Sequence, residues 1–251
     1  MARILYTLIL LIAFSSSLYS QERGKPFLKN YSPKDYNGQA QNWNVLQDHR
    51  GIIYVGNGDG VLEYDGSNWK LTEIPGKETV RSLGINKDNI VFLGTSTGFG
   101  YLSVGKSGEA VYNALQTQLP DSIQEKITDI WKISVIGNEV YFRSNPFIFR
   151  YKNGKVDYWT PRSSRFYSAF VLNGVYHAAE FGDFTSVRRI EGDSLLEVKD
   201  NDQFKGKTTS TFIPYKEDTI ILGSSRRNFY KYPFSNTHKQ DSLGIFNDLN
   251  T

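Results

Sequence analysis

The segment Gln47–Gly66 reads QDHRGIIYVGNGDGVLEYDG and contains two short apolar runs separated by glycine-rich turns. The first run, Ile52–Gly56, is β-branched and aromatic, and the second is Val61–Tyr64. Such residues favour strands, and Asn-Gly or Asp-Gly pairs favour tight hairpins. Because the glycine-rich turn is followed by a strand pattern and not by a helix, it is not read as a phosphate-binding loop. The segment predicts an antiparallel hairpin.

The same unit recurs along the chain. Equivalent positions are separated by 38, 49, 35 and 45 residues, a mean of about 42. A strand precedes each of these positions and one or two more follow, which gives four strands per unit. The equivalent positions are Tyr54, Phe92, Tyr141, Tyr176 and Ile221.

A four-stranded unit cannot bury both of its faces alone, so the units must stack on one another. Radial stacking of such units predicts an all-β fold, a β-propeller with about five blades present. A β-sandwich is the alternative, but it does not by itself explain the recurrence. The one helical stretch is predicted over Ser122–Lys126, and the first strand of the third unit over Ile127–Ile133.

We divide the chain into three parts. Residues 1–20 are assigned as a signal peptide, and 21–41 as an N-terminal segment with a candidate blade-closing strand near Phe27–Tyr31. Residues 42–251 are assigned to the propeller. Its repeats are placed at about 42–76, 77–120, 121–162, 163–205 and 206–251, and the fourth strand of the last repeat is only weakly indicated, near Leu243–Phe246.

The N-terminus has the three-part layout of a secretory signal. Arg3 precedes an apolar run, Ile4–Phe14, and serines then lead to Gln21. The run is shorter than the roughly 20 residues of a membrane-spanning helix, which favours cleavage after Ser17 or Ser20 over anchoring. A buried N-terminal helix is disfavoured because the run has no polar face. The sequence therefore predicts export.

Composition excludes several classes of function. Lys and Arg total 29 against 26 Asp and Glu, and no basic block is present, so direct nucleic-acid contact is not expected. The chain has no cysteine, which excludes disulfides, thiolate nucleophiles and thiolate metal sites. His49, His177 and His238 lie in different units without ligand spacing. We therefore predict no metal and no cofactor.

The repeat resembles a known family, the two-component regulator propeller repeat. The resemblance rests on Gln47–Gly56 with Asp59–Gly66, and on Leu93-Gly94-Thr95 with Thr97–Leu102. The opening Phe27–Tyr36, followed by Asn42-Trp43, resembles the start of Bacteroidetes-type sensor proteins with two such propellers. The first two units carry a Gly-Asn or Gly-Thr dipeptide, Gly56-Asn57 and Gly94-Thr95, which we call the glycine pair. In the later units Arg143-Ser144 and Ala178-Ala179 replace this pair, and Gly223-Ser224 retains only its glycine.

The resemblance implies a function. Members of that family, hybrid sensor kinases or triple-tyrosine-domain transcriptional regulators, carry propellers of about seven blades, followed by a triple-tyrosine domain, a membrane helix and a histidine-kinase or DNA-binding output. The five units are therefore expected to be an N-terminal fragment of a seven-bladed propeller, on the periplasmic side of an inner-membrane sensor that controls transcription. The implied partners are an extracellular ligand, often a glycan, the downstream signalling domains and a second copy in a homodimer. An intact five-bladed propeller is the alternative.

Residues that depart from the repeat are the candidate ligand-binding residues. Aromatic faces stack on sugar rings, and guanidinium groups bind carboxylates or sulfates, so this mixture suits an acidic or neutral glycan. For each residue the alternative is packing or solvation of a loop. The candidates are Trp131, Phe147, Arg162, Arg165, Phe181, Arg226 and Arg227.

Two other functions compete with sensing. A secreted propeller glycosidase or lyase would need two carboxylates facing one sugar, which Asp48, Glu63, Asp129, Glu180 or Asp183 could supply. No serine lies in a nucleophile elbow, and the carboxylate signal is no better than chance, so we expect binding and no catalytic residues. A scaffold that binds another protein through one propeller face is the third hypothesis.

Overall fold

The computed structural model describes residues 28–181, 187–198, 209–216, 219–224 and 229–233. The chain divides into two units, Met1–Tyr31 and Ser32–Thr251. In the first unit, the described residues 28–31 have no regular secondary structure. The predicted signal peptide and the weak strand near Leu243–Phe246 lie outside the described residues.

The second unit is a series of antiparallel meanders in which strands adjacent in sequence are hydrogen-bonded neighbours. The first sheet contains β1 (Asn42–Gln47), β2 (Ile53–Asn57), β3 (Gly60–Tyr64) and β4 (Trp69–Thr72). The second contains β5 (Val80–Ile85), β6 (Val91–Thr95), β7 (Phe99–Val104) and β8 (Ala110–Ala114). The third sheet contains β9 (Lys132–Ile136), β10 (Glu139–Arg143), β11 (Ile148–Lys152) and β12 (Lys155–Trp159). The fourth contains β13 (Arg165–Leu172), β14 (Val175–Phe181), β15 (Val187–Glu191) and β16 (Ser194–Glu197). The described strands of the fifth are β17 (Thr209–Lys216), β18 (Thr219–Ser224) and β19 (Phe229–Pro233).

Helices are short in the described residues. Helix α1 (Pro33–Tyr36) precedes β1, and a 3₁₀ helix (Gln116–Gln118) and α2 (Asp121–Gln124) connect β8 to β9. Helix α2 overlaps the helical stretch that the sequence predicts. None of the helices in the described ranges has the length and apolar character needed to cross a membrane.

The first strand of each sheet is the innermost one. Strand β1 contacts β5, β5 contacts β9, β9 contacts β13, and β13 contacts β17. The sheets are therefore the blades of a propeller, with these strands nearest its axis, and we number the blades 1 to 5 in chain order. The all-β propeller that the sequence predicts is confirmed.

Close packing between blades explains the glycine of the repeat. A Cβ on Gly56 would lie 2.8 Å from the carbonyl oxygen of Val80, on the next blade. A Cβ on Gly94 would lie 2.5 Å from Cγ2 of Ile130, which directly precedes blade 3. Real side chains do not approach this closely, so glycine at this position lets the second strand of one blade contact the start of the next.

Aromatic rings fill the space between blades, as the periodic aromatic residues predict. The rings of Tyr141 and Tyr176, on blades 3 and 4, stack with centroids 4.4 Å apart. Between blades 2 and 3, the ring centroid of Phe99 lies 4.6 Å from the ring centroids of both Phe142 and Phe149. Stacked and offset rings stabilise such contacts beyond the burial of their surface.

A buried histidine gives the fold a pH dependence. His177 on β14 is almost fully buried, and its ring stacks on Phe170 with centroids 5.0 Å apart. Burial lowers the pKa of His177 from 6.5 to about 4, with the charge of Arg189 acting in the same direction. Because the unfolded chain binds the proton more readily, His177 stabilises the fold above about pH 6.5, and this stabilisation is lost as the pH falls towards 4.

Between about pH 7 and pH 5.5, protonation of His177 in the unfolded chain should lower the free energy of unfolding of the wild type by about 1 kcal/mol. We expect His177→Gln to lack this part of the pH dependence. Urea denaturation of the wild type and the variant at both pH values measures this difference. The exposed His49→Gln is the matched control and should retain the wild-type pH dependence. An unchanged pH dependence in His177→Gln would show that this histidine does not titrate on unfolding.

Candidate functional site

A β-bulge lies at the start of the inner strands. In blades 1, 2, 4 and 5 the pairing between the first and second strands skips one residue of the first. In blade 3, Lys132 pairs with Arg143, and the N–H of Trp131 donates to the carbonyl of Arg143 at 2.9 Å, so two residues oppose one. A bulge changes the direction of its side chain. The bulged residues are Trp43, Arg81, Trp131, Tyr167 and Ser210; we call the first four the rim.

Three rim residues from three blades form a cluster. The guanidinium carbon of Arg81 lies 3.8 Å from the ring centroid of Trp43 and 5.4 Å from that of Trp131. The two indole rings meet edge to face, with centroids 6.1 Å apart. Nε of Arg81 donates to Oδ1 of Asp129 at 2.7 Å, which fixes the guanidinium between the rings.

This cluster leaves donors and aromatic surface available to a ligand. Trp131 is 40% exposed. Within the described residues, neither Nη atom of Arg81 has a hydrogen-bond partner. A guanidinium fixed by stacking binds carboxylates or sulfates in its own plane, and an exposed indole face packs on a sugar ring. The cluster therefore has the chemistry of a carbohydrate site.

The fourth rim residue lies near two of the residues that the sequence singles out. Tyr167 is exposed, and its ring centroid lies 6.3 Å from that of Phe181. Arg165 pairs with Phe181 across β13 and β14, and its guanidinium carbon lies 5.0 Å from the Phe181 ring centroid. Blade 4 therefore adds a second aromatic and cationic group at the start of its inner strand.

The remaining predicted residues lie elsewhere. Phe147 is only 4% exposed, and its ring packs in the core, 5.3 Å from the centroid of Phe149. Arg162 is exposed and forms an ion pair with Glu197 at 2.9 Å. Arg226 and Arg227 lie outside the described residues.

Nothing in the repeat pattern distinguishes Trp43, Arg81 or Tyr167 as candidate ligand-binding residues. A weak signal is present, because in blades 1, 2, 4 and 5 the bulged residue is followed by Asn, Ser or Thr. Arg143, which opposes the bulge of blade 3, was noted only as a departure from the glycine pair.

Three carboxylates considered for hydrolysis are held by arginines. Asp129 pairs with Arg81, and Glu180 with Arg188 at 2.7 Å. Asp48 pairs with Arg50 at 2.7 Å, at the end of β1 opposite Trp43. Glu63 accepts a hydrogen bond from Thr72 at 3.3 Å. Asp183 lies outside the described residues.

A groove of about 450 Å³ lies between blades 1 and 2 at the end of the inner strands opposite the rim. Arg50 and Tyr54 line it from blade 1, and Asn89 and Tyr101 from blade 2. The Nη2 atom of Arg50 donates to the Tyr54 hydroxyl at 3.1 Å. The groove is mixed in charge, because Glu63 and Lys70 also line it.

No protein-family model and no curated protein sequence matches the chain. Its fold is similar to solved propellers. The extracellular domain of the hybrid two-component system BT4673 from B. thetaiotaomicron matches with a TM-score of 0.55 and 14% identity, over 79% of this chain and 27% of that one. The chain thus spans about a quarter of the length of that protein.

Two further propellers show the same likeness. The WD40 β-propeller domain of Doa1 matches with a TM-score of 0.56 and 12% identity, over 77% of this chain and 65% of that one. A catalytically inactive virginiamycin B lyase from Staphylococcus aureus, solved with quinupristin, matches with a TM-score of 0.58 and 15% identity. The match covers 82% of this chain and 69% of that one. At these identities the likeness shows the fold alone: the chain has the architecture of a β-propeller.

Proposed function

We propose that this chain is the ligand-binding propeller segment of an exported sensor, and that it acts by binding and not by catalysis. The observation that carries the proposal is Arg81, fixed between Trp43 and Trp131 with both Nη atoms available. Three blades contribute to this cluster, and its accessible groups, the Arg81 Nη atoms and the Trp131 ring, come from blades 2 and 3. The propeller repeat pattern and the likeness to an extracellular domain of a two-component system support a sensing role.

The proposed mechanism needs no chemical step. A ligand shifts a receptor only by the difference between its affinities for two arrangements. In this proposal the protein lies on the periplasmic side of the inner membrane, where it binds a glycan. A change in the arrangement of propellers, or of a homodimer, would then pass to downstream domains that control transcription.

We expect Trp131→Ala to weaken oligosaccharide binding at least about tenfold, because the variant loses the exposed stacking face and one side of the Arg81 cluster. Isothermal titration calorimetry of the purified protein against neutral and acidic oligosaccharides measures this change. Tyr158→Ala, which removes an aromatic ring of similar exposure from an outer strand of blade 3, is the matched control. Equal affinity in Trp131→Ala and wild type would place binding elsewhere.

The same oligosaccharides test the catalytic alternative. After prolonged incubation with the protein, chromatography should recover each oligosaccharide unchanged. Turnover that is lost in Asp129→Asn or Glu180→Gln would instead identify a propeller hydrolase or lyase. If no oligosaccharide binds, the sensing proposal for glycans is wrong, and a protein-binding scaffold becomes the better hypothesis.

A further inference from the structure

Blade 3 has an arginine where blades 1 and 2 have glycine. Arg143 opposes the bulge of β9, the position that Gly56 and Gly94 occupy in blades 1 and 2. The side chain is 7% exposed and reaches the next blade, where Nη1 donates to the carbonyl of Phe166 at 3.2 Å. The inter-blade contact made by a glycine in blades 1 and 2 is thus made here by a buried cation.

No carboxylate among the described residues pairs with Arg143. Its Nη1 also approaches Oδ1 of Asn145 at 3.4 Å, and its Nε is buried without a partner. Two acids of adjoining segments pair with other arginines: Asp129, shortly before β9, with Arg81, and Glu180, the register partner of Phe166, with Arg188. The Nη2 atom has no hydrogen-bond partner in the described part of the chain. Arg143 is therefore a buried charge without a counterion.

A second cation lies beside it. Lys132 is the register partner of Arg143, so the two side chains leave the sheet on the same face. The side chain of Lys132 is exposed but partly covered, and this partial burial together with the charge of Arg143 lowers the pKa of Lys132. Burial of an unpaired cation and close approach of two like charges both cost free energy, and an anion between them removes both costs.

The pair adjoins the rim. Lys132 follows Trp131 in sequence, and the Trp131 ring lies beside the Arg81 guanidinium. Tyr167 and Tyr176 also interact electrostatically with Arg143, and the Tyr176 hydroxyl is buried with no hydrogen-bond partner among the described residues. Hydroxyl donors and two cations are the groups that bind oxyanions in proteins.

We propose that Lys132 and Arg143 bind an oxyanion, a carboxylate or a sulfate, carried by the ligand of the rim. The identification of the ligand as a sugar rests on the proposed function, whereas the anion site rests on the unpaired cations. A uronic acid or a sulfated sugar would place its ring on Trp131 and its charged group between Lys132 and Arg143.

The test uses thermal unfolding of the purified protein with sodium sulfate or sodium D-glucuronate, against sodium chloride at matched ionic strength. Wild type should show a saturable rise in Tm with at least one of the two anions, and the more effective anion identifies the group. Lys132→Gln should raise the anion concentration that gives a half-maximal rise in Tm about tenfold. Arg143→Gln should abolish the response, because it removes the buried cation that the anion would pair with.

The exposed Lys155→Gln, also on blade 3, is the control and should respond like wild type. If Arg143→Gln fails to fold, Lys132→Gln still decides, since its side chain is exposed. Absence of a saturable response in wild type, or a full response in Lys132→Gln, would overturn the inference. Binding of neutral sugars without an anion response would leave the proposed function intact. An anion response without oligosaccharide binding would support the anion site and contradict the proposed binding of glycans.

Discussion

Phe149→Ala is expected to lower the free energy of unfolding by about 3–5 kcal/mol. Phe149 on β11 is fully buried, and its ring centroid lies 4.6 Å from that of Phe99 on blade 2 and 5.3 Å from that of Phe147. Truncation loses the burial of an aromatic ring and leaves a cavity between two blades. Because sheets on both sides line this cavity, neither can move to fill it without disturbing its own hydrogen bonds.

Chemical denaturation followed by tryptophan fluorescence measures the change. Val104→Ala is the control, because Val104 ends β7 on the adjacent blade and is 80% exposed. Its effect should stay within about 0.5 kcal/mol. A loss below about 1 kcal/mol in Phe149→Ala would show that blades 2 and 3 are not held together by this aromatic cluster.

The sequence predicts the fold well because the aromatic and β-branched runs recur with the period of a blade. The predicted runs Ile52–Gly56 and Val61–Tyr64 agree with β2 (Ile53–Asn57) and β3 (Gly60–Tyr64) to within one residue at each end. The main error is in the third unit, where the first strand was predicted over Ile127–Ile133 but β9 begins at Lys132. Ile127 and Ile130 are buried loop residues, and the N–H of Ile130 donates to the Thr95 carbonyl of blade 2. An apolar loop that packs on a neighbouring blade has the composition of a strand.

The degenerate repeats contain an offset that composition does not reveal. The sequence pattern aligns Ala178-Ala179 with the glycine pair, whereas the strand register aligns Ala179 and Glu180 with Gly94 and Thr95. A glutamate is not expected at a fully buried position. Here its ion pair with Arg188 makes that burial tolerable. Only the three-dimensional pairing shows this compensation.

The candidate site was only partly predictable for a related reason. Trp131 departs from the repeat and could be singled out, but Trp43 resembles an ordinary strand residue and Arg81 an ordinary surface residue. A bulge has no strong sequence signature, so nothing along the chain indicates that these three side chains converge. Phe147 also departs from the repeat, yet it fills the core, because departure from a pattern does not determine burial.

Arg150→Ala is expected to lower the free energy of unfolding by about 2–4 kcal/mol. Arg150 on β11 is 2% exposed and joins blade 3 to the β15–β16 turn of blade 4. Its Nη1 donates to the carbonyl of Gly192 at 2.7 Å, and its Nη2 lies 2.6 Å from Asp157 and 2.5 Å from Asp193. The guanidinium carbon also lies 5.2 Å from the ring centroid of Trp159.

Both carboxylate partners of Arg150 are solvent-exposed, so water solvates them after the arginine is removed. The expected loss therefore comes from the charge-assisted hydrogen bonds and from packing, and it stays below that of a fully buried ion pair. Arg162→Ala is the matched control, because the ion pair of Arg162 with Glu197 also joins the segment that follows β12 to blade 4 but is exposed on both sides. The substitution should cost less than about 0.5 kcal/mol. Urea denaturation of both variants measures the difference. Equal effects would mean that burial of the guanidinium adds nothing to the contact between blades 3 and 4.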